Sequence, residues 1–184
     1  MSKLAVVILC GGRSRRMGSD KCFLQKQGVS WYQYMTDLFR SFTEHLYYSV
    51  NKYQIDRFPS GDNCIVDQYE DIGPYGGLLS SLELDVDAFW FCAVDLVDLE
   101  EEVLSKLHQS YLSNTNAVHV YKLEGDGFHP LCFIAPKGVV KYWEDKYSNQ
   151  PMSIQRLLSD TNSNVMKVEI TAIKTTLFRN YNSL

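Results

Sequence analysis

The sequence predicts an α/β domain built on a mostly parallel central sheet, and three observations carry that expectation. Short apolar runs alternate with helical stretches along the chain, as they do when parallel strands are joined by crossover helices. Two of those runs, Leu4–Leu9 (LAVVIL) and Ala88–Val94 (AFWFCAV), are continuously apolar, the mark of strands covered on both faces. A glycine pair, Gly11-Gly12, follows the first closely, and Asp95 directly follows the second; open α/β sheets bind ligands outside the carboxyl ends of their strands.

The remaining elements read in order. Trp31–Glu44 places Trp31, Tyr34, Met35, Leu38, Phe39 and Phe42 at helical spacing. His45–Val50 and Asn63–Val66 follow as strands. The string GPYGG at 73–77 punctuates the chain as a second loop, built from Gly73, Pro74, Gly76 and Gly77, that keeps a cleft open, and a helix resumes over Leu78–Leu84. Leu99–Tyr111 is an amphipathic helix with Leu99, Val103, Leu104, Leu107 and Tyr111 on one side, and the acidic run Asp98–Glu102 supplies its negatively charged first turn. Ala117–Tyr121 and His129–Ala135 read as strands around a Gly125–Gly127 turn. Helices over Val139–Lys146 and Ser153–Leu158 and a strand over Val165–Ile170 complete the pattern.

At 184 residues the chain suits one domain, 1–184, against a prior of ~150 residues per domain. Hydrophobic residues make up 45% and charged residues 22%, a globular mixture that excludes wholesale disorder. The formal net charge of −4 offers no broad basic field, so no direct nucleic-acid partner is expected. The five cysteines (Cys10, Cys22, Cys64, Cys92 and Cys132) form no CxxC pair and suit neither zinc ligation nor a disulfide framework. The N-terminal apolar run meets a glycine turn rather than a cleavage site. No segment approaches the ~20 apolar residues that span a bilayer. A reducing, cytoplasmic setting without a membrane partner is therefore expected.

The chemistry concentrates in residues 9–21, LCGGRSRRMGSDK. Gly11 and Gly12 lack side chains where the chain leaves a buried strand, which would let backbone N–H groups approach phosphate oxygens. Arg13, Arg15, Arg16 and Lys21 oppose only Asp20 between positions 10 and 21, a local balance of +3 in an acidic protein. Arg16 and Lys21 can neutralise a triphosphate, the first as a planar fork and the second as a point charge, and Ser14 adds a hydroxyl. The string is neither a Walker loop nor GxGxxG, since Gly18 is followed by Ser19. On these residues alone, a tight strand-to-helix turn decorated with surface arginines stands beside the phosphate-binding reading.

The pattern LxGGxSxRMGxDK resembles the signature of the MobA-type molybdenum cofactor guanylyltransferases, and this chain matches it at Leu9, Gly11, Gly12, Ser14, Arg16, Met17, Gly18, Asp20 and Lys21. Three further segments resemble the family in order: VDQYEDIGPYGGLLSSL, FWFCAVD and the C-terminal FRNYNSL. The resemblance implies a three-layer, Rossmann-like nucleotidyltransferase fold. It implies transfer of GMP from GTP to the phosphate of molybdopterin or molybdenum cofactor, with pyrophosphate released. Mg²⁺ is the implied cofactor, keeping waters of its own. Molybdoenzyme maturation proteins are further partners to consider.

Residue by residue, the resemblance implies nucleotide binding by Leu9, Cys10, Gly11, Gly12, Ser14, Arg16, Lys21, Asn51, Asp67 and Gly73. Catalytic roles fall to Arg16, Lys21 and Asp95, and metal ligation to Asp95 and Asn182, with Asn180 beside it. Asp67 is the guanine candidate, because a carboxylate can accept from both N1–H and the exocyclic amine; Asp71 is its neighbour and competitor. Asp95 ends an apolar strand, where a carboxylate is costly unless paired or metal-bound, and a helix cap is its plainer alternative. Tyr75 either stacks on a base or pterin or stands as an exposed loop tyrosine. His129, before Pro130, belongs to substrate-side structure rather than acid–base chemistry.

Three departures from the family stand out. Asp95 continues as Leu96-Val97-Asp98 where the family has a hydrophobic residue and proline, so Asp98 could share the metal or act as the cap. Tyr75 and Gly76 replace a larger apolar residue and alanine, and the chain stops at Leu184 before the family's following helix. These departures keep two alternatives open: a transferase using CTP or another phosphorylated acceptor, and a GTP-binding maturation protein without turnover. A sugar-phosphate transferase fits less well, since its loop wants a GTRL-type continuation where this chain has SRRMG.

Overall fold

The computed structural model describes residues 2–11, 20–59, 63–69, 71–122, 128–147, 150–160, 163–169 and 177–178. Strand β1 (Leu4–Leu9) leads to a 3₁₀ turn at Lys21–Phe23 and a short hairpin, β2 (Gln25–Lys26) and β3 (Val29–Ser30). Then come α1 (Trp31–Phe39), β4 (Leu46–Val50), β5 (Cys64–Val66), α2 (Pro74–Ser80) and β6 (Ala88–Ala93). The chain continues through α3 (Glu101–Ser113), β7 (Val118–Lys122), β8 (Phe128–Pro136), α4 (Lys137–Tyr147), α5 (Ile154–Leu158) and β9 (Val165–Val168).

Seven strands form the central sheet in the order β5-β4-β1-β6-β8-β7-β9. The pairings β5–β4, β4–β1, β1–β6 and β7–β9 are parallel. Strand β8 runs antiparallel to both its neighbours. The sheet is thus mostly parallel, as the apolar runs implied. From β1 the chain builds outward to β4 and β5, then crosses back to lay β6 on the other side of β1. That reversal opens a crevice at the carboxyl ends of the central strands.

Side chains alternate across a strand, and the two cores follow that alternation. Leu4, Val6 and Ile8 of β1 pack with Trp31, Met35 and Phe39 of α1 and with Val103, Leu104 and Leu107 of α3. Ala5, Val7 and Leu9 pack instead with Tyr75, Leu78 and Leu79 of α2, Trp143 of α4 and Leu157 of α5. Helices therefore cover both faces, giving three layers. Each fully buried large side chain contributes roughly 1.5–3 kcal/mol, and Trp90, Phe89 and Phe91 of β6 are wholly buried between the layers.

Several boundaries differ from the sequence expectation. Helix α1 stops at Phe39 rather than Glu44, because Thr43 turns the chain: its hydroxyl donates to Leu4 O and accepts from His45 N. Helix α3 starts at Glu101 after Glu100 as N-cap, and Leu99 sits in the preceding turn with its N–H on Leu96 O. The β2–β3 hairpin gave no sequence signal, since its turn puts Gln27 as well as Gly28 at positive φ, 55° and 82°, and glutamine is an uncommon choice there.

The largest correction concerns GPYGG, which is not an open loop. Gly73 takes φ 67° as N-cap, Pro74 occupies the first turn, and Pro74–Ser80 is helical. Gly76 and Gly77 are buried contact points: a Cβ on Gly76 would lie 2.8 Å from Tyr69 O, and one on Gly77 would lie 2.4 Å from Ser49 Oγ. Tyr75 is fully buried and donates its hydroxyl to Trp143 O at 2.9 Å. It packs α2 against α4 and has no face for a base or pterin.

Candidate active site

The site begins where β1 ends. Cys10 and Gly11 both donate their N–H groups to Ser49 O at 2.9 Å. This corrects the expectation that the Gly11 amide is directed at phosphate. Its missing side chain matters for a different reason: a Cβ there would lie 2.7 Å from Asp67 Oδ2. Gly11 thus makes room for a carboxylate. Gly12, Ser14 and Arg16 lie outside the described residues.

Asp67 follows β5 and is held from two sides. Its N–H donates to Val50 O at 2.8 Å, and its Oδ1 accepts the Ser49 hydroxyl at 2.7 Å. Burial pushes the Asp67 carboxyl up to about 6, against the opposing pull of the Ser49 hydrogen bond. Asn51 caps the turn after β4, with Oδ1 accepting from Tyr53 N and its own N–H donating to Gln54 Oε1, both at 2.9 Å. Gly73, at the head of α2, belongs to the segment that returns from Asp67 to the sheet.

Gln54 ties the region together. It is 2% exposed, and its Nε2 donates to Cys10 O at 3.2 Å and to Cys22 Sγ at 3.6 Å. One amide therefore joins both stems of the glycine-rich segment to the Asn51 turn. Arg57 adds a second clamp, pairing with Asp20 and stacking 3.9 Å from the Phe23 ring centroid. Burial, and then the neighbouring Cys22, push the Cys10 thiol well up, so it stays protonated at neutral pH.

On the other side of β1, Asp95 stands just beyond β6. Its Oδ2 accepts from Lys21 Nζ at 2.7 Å, so two residues assigned separately to metal and triphosphate meet as an ion pair. Asp95 is 8% exposed and its Oδ1 has no hydrogen-bond partner among the described residues. A buried, unsatisfied carboxylate oxygen is costly. Its chemistry suits a hard cation completed by phosphate oxygens and water, which needs only one or two protein carboxylates. Asp95 does not cap α3, since Glu100 does. Asn180 and Asn182 lie outside the described residues.

The Leu96-Val97-Asp98 departure has a structural answer. Leu96 and Val97 are buried. Lys26 of the hairpin donates to Val97 O and pairs with Asp98 Oδ1 at 3.1 Å. Asp98 is therefore engaged by Lys26 and caps no helix. His129 is 7% exposed, with Nε2 3.4 Å from Phe178 O. Burial holds it down to about 4, outweighing the Phe178 carbonyl and the Asp95 charge, which keeps it neutral at physiological pH.

Sequence reasoning missed Ser49, Gln54, Lys26 and Arg57. Ser49 left a faint trace, a lone hydroxyl within the run LYYSV at 46–50; the others look like ordinary surface residues. A separate cavity of about 520 Å³ lies between α2 and α4, lined by Tyr69, Glu83, Lys141 and Glu144 among others. None of the described candidate site residues lines it.

The chain is similar to known proteins in both sequence and fold. Residues 6–164 match the family model of the MobA-like NTP transferase domain. A molybdenum cofactor biosynthesis bifunctional protein from Synechocystis sp. is 33% identical over 103 residues, 55% of this chain and 30% of that protein. The chain thus matches under a third of that relative's length. A molybdenum cofactor guanylyltransferase from Campylobacter jejuni is 27% identical over 92% of this chain and 87% of its own length. The crystal structure of molybdopterin-guanine dinucleotide biosynthesis protein A from Archaeoglobus fulgidus superposes with a TM-score of 0.76 at 17% identity, covering 97% of this chain and 92% of that one. That likeness establishes the shared fold.

Proposed function

The chain belongs to the MobA-like NTP transferase domain family, and from that premise we propose that it transfers GMP from GTP to the phosphate of molybdopterin or molybdenum cofactor, releasing pyrophosphate. One convergence supports this reading above the rest: Gly11, Asp67, Lys21 and Asp95 gather around the carboxyl ends of adjacent strands, where such sheets bind their ligands. The named guanylyltransferase relative points to the same reaction.

In this reading the guanine edge lies on Asp67, whose carboxylate accepts from N1–H and the exocyclic amine. The triphosphate runs past the glycine-rich segment toward Lys21 and Asp95. A terminal phosphate oxygen of the acceptor attacks the α-phosphorus, a new P–O bond forms, and the bond to the bridging oxygen breaks as pyrophosphate leaves. Alignment and charge stabilisation carry the rate, with no covalent enzyme intermediate. Asp95, through its unsatisfied Oδ1, would hold Mg²⁺, which supplies charge neutralisation on phosphate oxygens when bound. Lys21 orients Asp95 and adds a positive charge beside the reacting phosphates.

A cytoplasmic site of action suits five cysteines that are all free; among the described residues no helix is long and apolar enough to cross a membrane. The deciding experiment measures pyrophosphate release from GTP or CTP with Mg²⁺ and molybdopterin. Release with GTP and weak release with CTP supports the proposal. CTP preference would overturn the Asp67 assignment, and tight GTP binding without any release would favour a non-catalytic maturation role.

A further inference from the structure

We propose that Ser49 is a positioning residue for base selection, its hydroxyl holding the Asp67 carboxylate in the orientation that accepts from guanine. The inference rests on the base-reading role given to Asp67 above and extends it to a residue that does not touch the nucleotide.

Ser49 does two separable things. Its backbone carbonyl receives the N–H groups of Cys10 and Gly11 at 2.9 Å, a task any residue could perform. Its side chain donates to Asp67 Oδ1 at 2.7 Å, a task that needs a hydroxyl. Ser49 is 1% exposed within β4, where valine would pack well and an unbonded hydroxyl would be costly.

The surroundings are shaped around this pair. A Cβ at Gly77 would come within 2.4 Å of Ser49 Oγ, and one at Gly11 within 2.7 Å of Asp67 Oδ2. Two glycines on different elements thus leave space for one serine–aspartate pair. The serine has a single proton, given to Oδ1, and Asp67 keeps its other lone pairs for the two N–H donors of a guanine edge. Without the hydroxyl the carboxylate can rotate, and the paired acceptors lose their direction.

The test is calorimetric titration of GTP and ATP against the wild-type chain, Ser49→Ala, Ser49→Cys and Asp67→Asn between pH 5 and 8. The cysteine variant fills the serine's volume with a poorer donor, which covers any loss of folding in the alanine variant. Wild type should prefer GTP, and Asp67→Asn should lose that preference. Both Ser49 variants should bind GTP about tenfold more weakly with ATP affinity unchanged. The pH at which GTP affinity declines, near 6 in wild type, should move upward in both, because the Ser49 hydrogen bond favours the charged carboxylate. Cys10, the titratable neighbour on the β1 side, stays neutral through this range, and ATP, whose terminal phosphate titrates as that of GTP does, supplies the baseline from which the Asp67 profile is read.

If both Ser49 variants keep wild-type affinity, preference and midpoint while Asp67→Asn loses preference, this inference is overturned and the Asp67 assignment survives. Equal loss of GTP and ATP binding would reduce Ser49 to a structural role and overturn it as well. A wild-type chain without GTP preference would overturn the Asp67 assignment itself, and the role of Ser49 with it.

Discussion

Lys21 Nζ lies 2.7 Å from Asp95 Oδ2, joining the end of the glycine-rich segment to the end of β6 across 74 residues of sequence. Both side chains are largely shielded, at 17% and 11% exposure. The pair leaves Asp95 Oδ1 unsatisfied among the described residues, and this is the atom offered to Mg²⁺ in the proposed reaction.

Asp95→Asn should therefore remove turnover while preserving the fold. Loss of a charge that stabilises the transition state costs roughly 10²–10³ in rate, measurable as pyrophosphate release. Lys21→Met should behave differently, because it leaves a buried carboxylate unpaired. A stability loss of about 1–3 kcal/mol by urea unfolding is expected, together with lost activity. Adding Asp95→Asn to Lys21→Met should recover most of that stability, and additive losses would refute the coupling.

Gly11→Ala tests the close approach of β1 to Asp67. The new Cβ would meet Asp67 Oδ2 at 2.7 Å, closer than real contacts allow, and the carboxylate must swing away. GTP should bind about tenfold more weakly with little change in melting temperature, since a side chain rather than backbone yields. Unchanged GTP affinity would show that the observed position of Asp67 does not matter for binding.

Asp67 and His129 should impose opposite pH dependences on stability. Asp67 has a folded pKa raised from 3.8 to about 6, so the folded state binds more protons and stability falls as pH rises through that window. His129 has a folded pKa lowered from 6.5 to about 4, so its contribution is lost as pH falls from 6.5 toward 4. The two slopes offset each other in wild type between about pH 4 and 6. Asp67→Asn should expose the His129 slope and stabilise the chain by about 1–3 kcal/mol at pH 8. His129→Gln should expose the opposite slope. Parallel pH–stability curves for all three chains would contradict both assignments.

Lys26→Met tests whether the hairpin supports the Leu96-Val97-Asp98 segment. Lys26 contacts both Val97 O and Asp98, and its loss should free the chain just beyond Asp95. Turnover should fall severalfold while stability drops by only about 1 kcal/mol, a split visible by comparing kcat with the urea midpoint. Equal kcat would mean that this segment needs no brace.

Much of this organisation was legible in the residues. The continuously apolar runs at 4–9 and 88–94 revealed strands buried on both faces, because covering a strand with two helical layers demands apolar residues at every position. Helical spacing revealed α1 and α3, because a one-sided helix needs a periodic stripe. Local signals failed at GPYGG, where turn-forming glycines serve a helix packed too tightly for Cβ atoms. They failed again at Tyr75, whose burial depends on α4, 68 residues away.

The sequence by itself determined the chemical inventory, since a glycine pair, local cations and a carboxylate after a buried strand are identities written residue by residue. Only the tertiary structure decided who meets whom. It placed Lys21 on Asp95, set Gly11 against Asp67 with its amide on Ser49 O, joined Ser49 to Asp67, and tied Cys10 to Cys22 through the buried Gln54. Hydrogen bonds and ion pairs act over a few ångströms, and which groups come that close is fixed by strand order and helix packing rather than by neighbourhood along the chain.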